Sequence, residues 1–211
     1  MEVLSYSIAL GAIIGLVRIR RIDQVYFPFI ILLWAGLINE LTSSLVIRLY
    51  HTNAVNSNIY AFVESIIILW LFKTLGLFRR NLYLFYILLV VFIAGWFLEN
   101  FVFSSIRQFN SYSRIGYSFA VVLLSIHMIN NLFAADRRRL LKNPVFLVMI
   151  GFIVFFTYKA LVEIFWIYGL NASKEFGVEV YRIMTWINFS VNIIFAIAVL
   201  WIPRKREYTL L

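Results

Sequence analysis

Four carboxylates stand inside long apolar segments of this chain: Glu40, Glu64, Glu99 and Glu163. Lys159 lies one helical turn before Glu163. Placing an ionised side chain in the hydrocarbon core costs on the order of 3 kcal/mol or more, so such groups face a bundle interior and find partners. Three kinds of chemistry follow from acids set beside a lysine. They can form a structural ion pair, receive a charged ligand, or carry protons. Acids that share an apolar cavity also compete for protons, which suits proton coupling and an inert hydrogen-bonded acid equally well.

The neighbouring polar residues keep helical spacing. Glu40 and Ser44 are four apart, as are Tyr60 and Glu64. Lys159, Glu163 and Trp166 share one face, which predicts an intrahelical Lys159–Glu163 pair. Tyr181, Thr185, Asn188 and Asn192 form a polar stripe on the last segment. Such a stripe is expected to face other helices; polar glue between helices explains Thr185 and Asn192 well and four ionisable acids poorly. The expected ligand-binding set is therefore Glu40, Glu64, Glu99, Lys159, Glu163, Arg182 and Asn188. All seven fall in the half of the membrane that contains the N-terminus. His127 shares a face with Asn131 toward the other side and reads as a hydrogen-bonded interhelical histidine, with a proton relay as the alternative.

These residues need a scaffold, and composition defines it. Of 211 residues, 63% are hydrophobic and only 14% charged, against about a quarter charged in soluble domains. The chain reads as an integral membrane protein whose principal partner is the lipid bilayer. There are no cysteines and only two histidines, His51 and His127. Thiolate chemistry and a multi-histidine zinc site are thereby excluded, and no metal or cofactor is expected. The net charge of +9 is explained by loop placement rather than by nucleic acid.

Seven apolar segments approach the roughly 20 residues needed to span, near 3–17, 25–49, 58–77, 82–103, 115–134, 144–168 and 179–202. Without strand-like alternation they should be helices, which satisfy their own backbone hydrogen bonds in lipid. The expected fold is an all-α, seven-transmembrane-helix bundle forming a single domain over residues 1–211. Positions 3–17 resemble a signal peptide only superficially. They lack a basic start and are read as a retained helix. Loops on one side carry thirteen Lys and Arg, including the run Arg137-Arg138-Arg139, against five on the other. This bias predicts the N-terminus outside and the C-terminus in the cytoplasm, in the cell (inner) membrane. Tyr and Trp near the segment ends, among them Tyr50, Tyr60, Tyr83, Tyr117 and Tyr168, read as an interfacial belt. Pro28, Pro144 and Pro203 sit at segment ends, so no span is expected to be broken by proline.

Function is expected to be receptor-like: a cavity in the outer half of the bilayer binds a small molecule or lipid and passes a signal to a cytoplasmic or membrane protein partner. An enzyme is the less favoured expectation. A small proton-coupled transporter, an accessory subunit and a metal-free intramembrane enzyme are the alternatives.

Overall fold

The computed structural model describes residues 2–135, 140–168 and 174–203. The arginine run 137–139 and the basic residues 204–206 lie outside the described residues. Every regular element is helical: α1 (Glu2–Ser5), α2 (Ile8–Arg18), α3 (Phe27–Tyr50), α4 (Ala54–Thr74), α5 (Leu82–Phe97), α6 (Tyr112–Ala135), α7 (Pro144–Tyr168) and α8 (Lys174–Trp201). Pro28 occupies the first turn of α3 and Pro144 opens α7, positions where a missing N–H costs nothing.

Among the described residues, six helices are long and apolar enough to cross a membrane. The expected seventh span, at 3–17, takes a different form. Its apolar part is the 11-residue α2, about 16 Å long and half the thickness of the hydrocarbon core. Tight turns join α1 to α2, with the Ser7 amide bonded to the Leu4 carbonyl and the Ala9 amide to the Tyr6 carbonyl. The last span also begins earlier than expected, at Lys174 instead of 179.

The outer surface carries the apolar side chains that a lipid solvent allows. Ile87, Val90, Val91 and Phe97 of α5 and Leu41, Leu45 and Leu49 of α3 are exposed. Helix α2 packs between α3 and α8, α4 packs on α3, and α7 packs between α6 and α8. Helix α5 leans mainly on α4. The Arg18 guanidinium closes the ring by donating to the carbonyls of Val199, Leu200 and Ile202 at the end of α8. There it meets the negative end of the helix dipole. Arg18 therefore has a structural role beyond its loop charge.

The two ends of the bundle differ in chemistry. The basic face holds Arg18, Arg20, Arg21, Lys73, Arg79 and Arg80. Beneath it lies a dense apolar core of Phe29, Leu33, Ile68, Phe72, Met149 and Phe152, all almost fully buried. The rings of Phe29, Phe72 and Phe152 meet Phe195 or one another edge-on, with centroids 5.4–6.2 Å apart. The opposite, N-terminal face holds the buried polar residues. At that face α5 runs into a wider π-helical stretch, Leu98–Phe103, that buries Glu99 and Asn100. Such a stretch re-aims side chains that a regular helix would place elsewhere.

Candidate functional site

Two polar tiers are stacked one helical turn apart along α7. The deeper tier joins three helices. Lys159 Nζ of α7 donates to Glu64 Oε2 of α4 at 2.6 Å and to the Tyr117 hydroxyl of α6 at 2.5 Å. Tyr117 in turn donates to the same Glu64 oxygen at 2.5 Å. The Lys159 ammonium also lies 5.1–5.6 Å from the ring centroids of Tyr117, Phe155 and Phe156, within cation–π range. Glu64 and Tyr117 are buried to 4% and 5% exposure, and a buried ion pair is sustained only when its members are fully hydrogen-bonded.

The shallower tier centres on Glu163. Arg114 Nη1 donates to Glu163 Oε1 at 3.1 Å, and Ser111 Oγ donates to Oε2 at 2.5 Å. The other arm of the Arg114 fork reaches Ser57 Oγ at 2.9 Å and Asn58 Oδ1 at 2.7 Å. Asn58 passes the linkage on, donating to the carbonyls of Ile106 and Gln108 and fixing the 104–111 loop over the bundle. A planar guanidinium suits this work because its donors point in several fixed directions at once.

The expected pairing within α7 is thus replaced by pairing between helices. Lys159 and Glu163 lie one turn apart, but each meets an opposite charge from a facing helix. Both partners were visible only in part. Glu64 belongs to the expected set, and Arg114 does not.

Two cavities adjoin Lys159. The inner one has a volume of about 90 Å³ and is walled by Glu40, Tyr60, Glu64, Lys159, Asn188 and Asn192, with Gly36, Phe152, Phe155, Phe156 and Phe195 beside them. The outer one, about 320 Å³, is walled by Ser57, Phe109, Arg114, Lys159, Glu163, Trp166, Tyr181 and Met184. Gly36 leaves room for the Ile8 side chain where α3 passes α2, since a Cβ there would displace the Ile8 Cδ1 methyl. Gly151 likewise lets Phe195 lie against α7, with a Cβ there falling 2.3 Å from Phe195 Cε1.

Of the expected set, Glu40, Glu64, Lys159 and Asn188 come together around the inner cavity, and Glu163 joins Lys159 in the outer one. Glu99 stands apart. Its two carboxylate oxygens accept the Tyr112 and Ser113 amides at 2.8 and 2.6 Å, capping the start of α6. It borders a third, mainly apolar cavity of about 580 Å³ between α4, α5 and α6. Arg182 is half exposed and pairs with Glu179 on its own helix at 3.0 Å.

Asn192 donates to Ser7 at 2.9 Å and to Asn188 at 3.3 Å, fastening α8 to the start of α2. Thr185 bonds back to the Tyr181 carbonyl of its own helix. Tyr117, placed in the interfacial belt by its position, is instead a buried member of the deeper tier. Tyr50, Tyr83 and Tyr168 are exposed, as a belt requires. His127 and Asn131 lie exposed on the outside of α6 and not between helices, which removes the interhelical reading of that histidine.

Sequence reasoning missed Arg114 and Tyr117. The available signal was position. Arg114 follows Tyr112-Ser113 directly before an apolar run, so it sits inside the first turn of α6 and not in a loop. No protein-family model matches the chain, and comparison with curated proteins and with solved structures gives no match either. Among the described residues, no group of three or more His, Cys, Asp or Glu side chains could hold a metal ion. Among the described residues every regular element is helical, and six helices have the length and apolarity of membrane spans.

Proposed function

We propose that this protein is a receptor-like membrane module that binds a small ligand in the polar half of its bundle. One observation carries the reading: Lys159 is a wall of both the inner and the outer cavity. A single charged residue shared by two adjoining spaces, and held from the facing helices by Glu64 and Tyr117, can report occupancy to α4, α6 and α7 together. The packed rings of Phe29, Phe72, Phe152 and Phe195 lie between the inner cavity and the basic face. That arrangement favours a site reached from one side over a path through the bundle. Opening the bundle would require breaking buried ion pairs, so a ligand must supply differential contacts of comparable size to shift it.

The test is thermal stability of the purified protein in detergent, against a library of lipids and metabolites. The parent is compared with Lys159→Met and Glu64→Gln. A compound that raises the melting temperature of the parent and not of the variants supports the reading. If no compound stabilises the parent, the two tiers are structural and the protein serves as a subunit of a larger assembly.

A further inference from the structure

We infer that the inner cavity receives an ammonium group, a monovalent organic cation, through Glu40. The inference deepens the ligand-binding reading above and rests on it. Charge balance is its starting point. The two tiers and the inner cavity together hold three carboxylates, Glu40, Glu64 and Glu163, against two cations, Lys159 and Arg114. Lys159 is committed to Glu64 and Arg114 to Glu163. The Glu40 carboxylate makes no hydrogen bond or ion pair with a described residue. Ser44, one turn further along α3, is already bonded to the Tyr6 hydroxyl at 2.8 Å. An acid left over in an apolar bundle calls for one more positive charge or a proton.

The walls decide which kind of cation fits. Hard divalent ions require six or more oxygen ligands, and no metal-holding cluster exists among the described residues. The inner cavity instead has Glu40, Tyr60, Phe155, Phe156 and Phe195 in its wall, together with the already paired Lys159 and Glu64. Phe155 and Phe156 already hold one ammonium within 5.6 Å, the side chain of Lys159. A second ammonium entering the same cavity would find aromatic rings and an unpaired carboxylate in one wall, the combination that organic cations exploit, while the Lys159 charge is offset by Glu64. The volume of about 90 Å³ is several times the ~10–15 Å³ that one water requires. A methylated or primary ammonium head fits this space, and the remainder of a ligand would extend toward the outer cavity.

The experiment measures the melting temperature of the detergent-purified protein with methylammonium, tetramethylammonium and choline chlorides, against sodium chloride at equal ionic strength. 3,3-Dimethylbutanol serves as the uncharged counterpart of choline. The parent and Glu40→Asp should be stabilised by at least one ammonium salt and not by the alcohol. Glu40→Gln should weaken the apparent affinity about 10- to 100-fold, the loss of one charge-assisted bond. The inference is overturned if no ammonium salt stabilises the parent, if the alcohol does so equally, or if Glu40→Gln binds like the parent. Should Glu40→Gln not fold, the salt-against-alcohol comparison on the parent decides alone. A neutral or anionic compound whose binding needs Lys159 but not Glu40 would sustain the ligand-binding reading and defeat this inference.

Discussion

Replacing Lys159 with Met removes the cation of the deeper tier while keeping most of its apolar stem. Glu64, 4% exposed, would then keep the Tyr117 and Tyr60 hydroxyls as donors but no cation. Breaking a buried ion pair by deleting one member typically costs about 3–5 kcal/mol, because the other charge stays buried without compensation. The retained tyrosine bonds place this variant at the lower end, about 3 kcal/mol. Glu64→Gln leaves Lys159 in the same position and should cost a similar amount. In the double variant the second change meets no stranded charge, so the combined cost should fall below the sum by about 2 kcal/mol. Unfolding of the parent, both single variants and the double variant in one detergent supplies the four measurements. Additive losses would refute the reasoning, since they would mean that Lys159 and Glu64 do not depend on each other. A loss below about 1 kcal/mol for Lys159→Met would do the same, because only exposed pairs are that weak.

Other substitutions separate buried from superficial features. Arg114→Lys should cost at least about 2 kcal/mol, because an ammonium cannot span Glu163, Ser57 and Asn58 as the guanidinium does. Arg182→Gln should cost less than about 0.5 kcal/mol, since it removes only a half-exposed pair within one helix. Glu99→Gln should lower stability by about 1–2 kcal/mol through the α6 cap, and ligand-dependent shifts in melting temperature should be unchanged. Gly151→Ala should destabilise by about 1–3 kcal/mol by displacing the Phe195 ring. Gly95→Ala, which meets nothing within 4 Å, should be neutral or stabilising by up to about 1 kcal/mol. Thermal melts of these variants check all five.

Hydropathy alone placed the six long helices, because a bilayer requires apolar length of any spanning segment, and Gln24–Tyr50 through Glu175–Trp201 supply it. It gave less for the first segment, where polar Ser5 and Ser7 fall at the turn between α1 and α2. The acids were equally legible, since a charge in an apolar run stands out. Their partners were not. Whether Lys159 meets Glu163 or Glu64 depends on which helix lies opposite α7, and helical periodicity carries no information about neighbours. Tyr117 shows the same limit: its distance from the segment end suited the interface, but its rotation on α6 points it inward. The Glu99-Asn100 pair was the one local hint of the π-helical stretch, a polar couple interrupting an otherwise apolar helix end.

In the proposed function the polar site is reached from the N-terminal face and closed toward the basic face. The absence of native cysteines permits a direct measurement. Val191→Cys places a thiol in the wall of the inner cavity, and Val199→Cys places one in the fully buried core beyond the phenylalanine rings. Each is reconstituted in sealed vesicles and exposed to a small membrane-impermeant thiol reagent from one side at a time. Val191→Cys should react only from the side bearing the N-terminal face, and Val199→Cys from neither. Reaction of Val191→Cys with reagent applied at the basic face would contradict the account and identify a path through the bundle.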